Sequence, residues 1–99
     1  IRVPRLIVGG AGTSGNSFID QVEKRLWLSE NFEALTVDME SAAVAQVCMV
    51  NGVPFIVFRS ASDLAGGSGS ESARTEIREF FSVAANNSAR VVVRFLELL

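Results

Sequence analysis

Histidine is absent from the 99 residues and cysteine occurs once. Without histidine, a Ser–His or Cys–His nucleophile and a His-ligated metal are both excluded. Acid–base work falls to carboxylates, Lys24 or solvent. A lone cysteine excludes an internal disulfide and fits a reducing compartment. Cys48 lies within an apolar segment and reads as a small buried hydrophobe. No apolar run approaches the roughly 18 residues that span a membrane. No charged segment followed by an apolar stretch and a cleavage site marks a secretory signal, so a cytoplasmic setting is expected and a membrane is not. The nine Lys and Arg residues are scattered, at a net charge of −2. There is no basic patch to track a phosphate backbone, so nucleic acid is not an expected partner.

Apolar content is what the chain has in quantity, at 48%. Its length suits one small domain or part of one, spanning residues 1–99. A domain of this size buries a limited share of its surface. The chain therefore either buries unusually well or covers apolar surface with a partner, a second copy or a missing portion. It opens on Ile1, and Arg2-Val3-Pro4-Arg5 leads straight into a strand-like run, as the middle of a longer polypeptide would.

Leu6 to Val8 is a short apolar run ended by glycines, and predicts a buried strand. Ile19, Val22 and Leu26 recur at helical spacing and predict a surface helix. Ala34-Leu35-Thr36-Val37 predicts a second strand. Ala42 to Val50 is apolar almost all round, which predicts a buried helix stopped by Asn51-Gly52. Pro54 to Phe58 is a continuous apolar run that suits a central parallel strand. A Gly/Ser loop follows at 64–70. Ser68 with Glu71 has capping-box spacing, and Ser70 or Ser72 could cap instead. A long helix then runs to the end, with Ile77, Phe81, Ala84, Ala85, Val92, Phe95, Leu96 and Leu99 on one face. Alternating strands and helices predict an α/β fold: a partly parallel sheet in three layers with flanking helices and right-handed crossovers.

In open parallel sheets, ligands bind beyond the carboxyl ends of the strands. The second strand runs into Asp38-Met39-Glu40-Ser41 and the third into Arg59-Ser60-Ala61-Ser62-Asp63. If these ends are adjacent, Glu40 and Asp63 share a pocket, and a partly desolvated carboxyl there can donate a proton near neutral pH. Plainer roles stand beside these. Asp63 could cap a turn. Glu40 could be a first-turn acid favoured by the helix dipole. Asp38 could be a solvated or capping group, and Arg59 a salt-bridge partner. Met39 and Phe18 could be core.

Gly10, Gly12 and Gly15 spell G-x-G-x-x-G after an apolar run, and Asp38 stands at the end of the next strand. A dinucleotide-binding turn needs those parts. Against it, Asn16 and Ser17 follow Gly15 and look like the actual helix cap. That reading also leaves Glu40 and the 59–63 segment unexplained.

Val37-Asp38-Met39-Glu40-Ser41-Ala42-Ala43-Val44-Ala45 and Val53-Pro54-Phe55-Ile56-Val57-Phe58-Arg59-Ser60-Ala61-Ser62-Asp63 give the chain a family likeness. It resembles the 5′-methylthioadenosine/S-adenosylhomocysteine nucleosidase branch of the purine nucleoside phosphorylase superfamily. Gly15-Asn16-Ser17-Phe18-Ile19 is similar to that family's G-D-x-F-I segment, with Asn16 at the usual Asp position. The Asp63-Leu64-Ala65-Gly66-Gly67 loop also resembles plant bark-storage-type relatives, which need not turn over substrate.

The resemblance implies a nucleoside phosphorylase-type fold of which this chain is the C-terminal part. It implies an N-ribosyl hydrolase acting on an adenine-containing nucleoside, with no cofactor and no metal. Asp63 would be the general acid at N7 of adenine, and Ser62 would orient it. Glu40 would accept hydrogen bonds from the ribose hydroxyls, and Met39 would pack under the sugar. Phe18 would stack on adenine while the Ile19 backbone bonds its edge. Asp38 would assist at the ribose, and Arg59 belongs to the same substrate-binding set. The family's N-terminal half, which supplies the acid that activates water, is outside these residues.

Overall fold

A computed structural model describes residues 3–67, 69 and 72–99. The chain runs β1 (Ala11–Ser14), α1 (Val22–Phe32), β2 (Ala34–Asp38), α2 (Ser41–Val50) and α3 (Ala73–Glu97). β1 and β2 pair in parallel, with Gly12 opposite Thr36, Thr13 opposite Val37 and Ser14 opposite Asp38. The β1–α1–β2 unit is the crossover expected of a parallel pair. The α/β class with a parallel sheet and flanking helices is thus the observed one.

Several boundaries differ from the sequence-based expectation. The first strand lies within the glycine stretch, and Leu6–Val8 joins no sheet. Glycine makes this possible at Gly10, whose φ of +97° is open to glycine and where a Cβ would overlap the Leu35 side chain. The backbone enters β1 by passing close over β2. Pro54–Phe58 likewise joins no sheet among the described residues. Its apolar run marks a segment that needs covering, but a strand also needs a neighbouring ladder, and none lies beside it. Phe58 instead packs edge-on against Phe95 of α3, with ring centroids 5.2 Å apart.

α1 starts at Val22, so neither Asn16 nor Ser17 caps it. Its cap position, Gln21, makes no side-chain cap bond. Asp20, the nearest residue suited to capping, bonds elsewhere, to the Ala73 amide at 2.9 Å. The helix runs past Leu26 because Lys24 sits 4.1 Å over the Trp27 ring and Asn31 donates to the Trp27 carbonyl. It ends where Glu33 turns left-handed at φ 52°.

α3 begins as capping chemistry dictates. The Ser72 hydroxyl accepts from the Thr75 amide at 3.2 Å, a cap worth about 1 kcal/mol. Ser68, Ser70 and Glu71, the other capping candidates, lie outside the described residues.

α2 occupies its expected span but not its expected surroundings. None of its residues is buried; Met49 is 76% and Val50 80% exposed. Cys48 is half-buried rather than enclosed. Among the described residues the buried apolar side chains are only Ala65, Ala73 and Ala84. An ordinary folded monomer of this mass exposes about 5,500 Å². This chain exposes 8019 Å², so about 2,500 Å² of further surface lies open, much of it aliphatic.

Candidate functional site

Ser14 and Asp38 are register partners at the carboxyl ends of the two strands. The Ser14 hydroxyl accepts from the Ala42 amide at 2.7 Å, and the Gly15 amide donates to the Asp38 carbonyl at 3.1 Å. These bonds seat the start of α2 on the strand ends. Four amides at a helix start lack intrahelical partners, and here side chains from outside the helix supply acceptors.

Asp38 is the hub. Its Oδ1 accepts from the amides of Glu40, at 3.1 Å, and Ser41, at 2.9 Å. Its Oδ2 accepts from the Ser41 hydroxyl at 2.6 Å and from Arg59 Nε at 2.9 Å. Partial burial by itself would raise the pKa of this carboxyl. The Arg59 guanidinium, the Ser41 hydroxyl and the two amides outweigh that and hold it well below the usual carboxylate range. Arg59 is correspondingly pushed up, first by its bond to Asp38 and then by its bond to Glu40.

Arg59 extends to Glu40 through Nη2, which donates to Oε2 at 2.6 Å. The Asp38 side chain is 11% exposed and that of Glu40 71%. One arginine therefore bridges a fixed carboxylate and an open one. The capping and salt-bridge roles weighed for Asp38 and Arg59 are the ones their hydrogen bonds express.

Ser62 donates to Asp63 Oδ2 at 2.9 Å, and both side chains are half-buried. Phe18, Ile19, Asp38, Met39, Glu40, Arg59, Ser62 and Asp63 all line one cleft of about 580 Å³. Its floor includes the body of β2, and Ile77, Phe81, Ala84 and Ala85 of α3 form part of its wall. These eight candidate site residues thus line one cleft, although the third strand expected to carry Asp63 is not formed. Among the described residues no group of His, Cys, Asp and Glu side chains is arranged to hold a metal ion.

The glycine turn does not have the geometry of a pyrophosphate cradle. Gly12 is inside β1 and α1 begins only at Val22, so no helix N-terminus opens on Gly10, Gly12 or Gly15.

Sequence reasoning missed Ser14 and Ser41, which anchor the strand-end turn, and Arg25, which also lines the cleft. Ser41 had a readable signal. Asp38 stands three residues before it, the spacing at which an Asp side chain accepts from following amides. Nothing local marks Ser14 or Arg25, whose partners are distant in sequence.

A parallel α/β unit with a cleft that runs along β2 and past its carboxyl end defines a ligand-binding class of architecture. Within that class, the chain belongs to the phosphorylase superfamily, whose family model matches residues 3–97. It is similar to 5′-methylthioadenosine/S-adenosylhomocysteine nucleosidases from several bacteria. The one from Staphylococcus haemolyticus is 42% identical over 91 residues, covering 91% of this chain and 38% of that protein. The one from Treponema pallidum is 40% identical over 98 residues, covering 99% and 35%. The one from Geobacillus kaustophilus is 34% identical over 93 residues, covering 93% and 38%. The chain spans little more than a third of the length of these relatives. No solved structure matches it.

Proposed function

We propose that this chain carries the general-acid, base-binding and ribose-binding part of a purine nucleosidase, acting on an adenine-containing nucleoside. The observation that carries the reading is the convergence of Phe18, Met39, Glu40 and Asp63 on one cleft. Asp63 gives its proton to N7 of adenine. The C1′–N9 bond then breaks with its electron pair passing to the base, which leaves neutral. The sugar becomes oxocarbenium-like, and water adds at C1′ and loses its proton to solvent, from which the Asp63 carboxylate is reprotonated. Ser62 holds one carboxyl oxygen of Asp63, and in this reading the other carries the proton given to the base.

Glu40 receives the ribose hydroxyls. Its Oε2 is held by Arg59, and its Oε1 makes no hydrogen bond among the described residues. Such contacts strengthen as charge develops on the sugar. Asp38 acts through Arg59 and the α2 turn, since both of its oxygens are already occupied. No cofactor or metal is required by this scheme, and free Cys48 fits a cytoplasmic setting.

The same reading treats residues 1–99 as part of one domain. The open area of about 2,500 Å² lies within the range of obligate interfaces. We expect it to be covered by the remaining portion of a phosphorylase-type domain or by a second copy. Sedimentation at micromolar concentration should therefore show self-association of the chain alone. A well-behaved monomer that binds no apolar dye would overturn that expectation.

The short span relative to the nucleosidases favours a second reading, a non-catalytic member of the same fold that keeps an adenine surface. Calorimetric titration with adenine and an adenine-release assay on methylthioadenosine separate the readings. Adenine binding with slow release supports the proposal that water activation lies outside this chain. Release as fast as from an intact relative would remove the need for any missing part. No binding of adenine, or binding of NADH instead, would overturn the nucleosidase reading.

A further inference from the structure

The best-enclosed part of the chain is not beneath the sheet. Ala65 and Ala73, two of the three buried apolar residues among those described, lie at the junction where the segment 20–25 meets the loop after Asp63. Arg25 Nη1 donates to the carbonyls of Ala65 and Gly67, at 3.2 Å each. Asp20 Oδ1 accepts from the Ala73 amide at 2.9 Å and so holds the start of α3. Between them Gly66, at φ +93°, presses against the backbone of Gln21 and Val22, where any Cβ would overlap. The Gly67 amide closes the turn on the Leu64 carbonyl.

This clasp has a telling position. Phe18 and Ile19 directly precede Asp20, and Ser62 and Asp63 directly precede Leu64 and Ala65. The two segments that would hold and protonate a base come from loops distant in sequence, and neither is in a sheet or helix. The clasp is what joins them. A catalytic geometry tolerates displacement of well under an ångström or so before rate suffers.

We propose that Arg25 and Asp20 are positioning residues that set the spacing between the Phe18–Ile19 platform and the Asp63 carboxyl. This rests on the nucleosidase reading. The clasp itself is testable apart from it.

The test uses the ¹⁵N-labelled chain joined to the upstream portion of the Staphylococcus haemolyticus relative, with Arg25→Ala, Gly66→Ala, Asp20→Ala and Asp20→Asn variants. Amide exchange at Gly67 should accelerate at least about 10-fold in Arg25→Ala and in Gly66→Ala, while α2 amides such as Val47 are unchanged. Asp20→Ala removes the acceptor of the Ala73 amide, whose exchange should accelerate at least about 10-fold, whereas Asp20→Asn keeps a carbonyl acceptor and should leave it near the wild-type rate; unchanged exchange at Ala73 in Asp20→Ala would remove Asp20 from the clasp. On titration with adenine, wild type should shift the amides of both Ile19 and Asp63. Arg25→Ala and Gly66→Ala should keep the Ile19 shift, lose most of the Asp63 shift and bind about 10-fold more weakly. A merely structural role would weaken both shifts together.

Unchanged exchange at Gly67 would overturn the clasp whatever adenine does. A loosened loop with a wild-type adenine response at Asp63 would overturn the coupling. No adenine response in wild type would overturn the nucleosidase reading and this role with it, and the exchange data would still decide the clasp.

Discussion

Asp63→Asn is expected to lower adenine release by about 10²–10⁴-fold, the range of a positioned general acid. The measurement is made with this chain joined to the upstream portion of the Staphylococcus haemolyticus relative, so that the part proposed to activate water is present. Asparagine is nearly isosteric, accepts the Ser62 hydrogen bond at the same atom and can still donate to N7. It cannot give up a proton. Ground-state contacts should therefore survive while the departing base must leave as an anion. The loss should fall on kcat, with KM changed by less than about 3-fold. Ser62→Ala removes the 2.9 Å bond that orients the carboxyl and should cost about 10-fold, well short of the Asp63 effect. A kcat within about 3-fold of the parent for Asp63→Asn would remove Asp63 from the chemistry.

Asp38 and Glu40 were legible from topology, because they follow β2 at the carboxyl end of a parallel pair. Phe18, Ile19, Ser62 and Asp63 were legible through the family's motifs, since none of them directly follows a formed strand. α2 and α3 were legible for local reasons: an unbroken helix-forming stretch between Ser41 and Asn51, and a serine ahead of a long amphipathic run. Strand placement was not legible. Leu6–Val8 is more apolar than Ala11–Ser14, yet the latter pairs with β2, because Gly10 and Gly12 let the backbone lie close to Leu35 and Thr36. Pro54–Phe58 has strand composition without a ladder, and composition cannot supply the neighbour. The Arg25 and Asp20 contacts join residues 40 to 53 positions apart. A surface-helix arginine carries no local mark of such a partner.

The charge on Asp38 should make the strand-end turn strongly acid-sensitive. Against the opposing effect of partial burial, Arg59, Ser41 and the two turn amides hold its folded-state pKa well below the ordinary aspartate value of 3.8. A depressed carboxyl contributes stability that is fully present above its unfolded pKa and is lost as pH falls through the folded one. Stability should therefore be flat from pH 7 to about 5 and decline steadily below about pH 4. Asp38→Asn removes the charge, so Arg59 loses its stronger partner and the Glu40 and Ser41 amides keep only a neutral acceptor. At pH 7 the variant should be less stable by about 2 kcal/mol, the scale of hydrogen bonds to a charged group, discounted for the partly exposed Arg59. Urea unfolding followed by circular dichroism at pH 7, 5, 4 and 3 measures both curves. The two should converge toward low pH, because protonation does to wild type what the substitution does at every pH. Arg59→Met should show the same convergence with a smaller gap at pH 7, since Ser41 and the two amides still hold the carboxylate. Parallel curves, with an offset between wild type and Asp38→Asn that does not shrink on acidification, would mean that the Asp38 charge does not hold this turn in place.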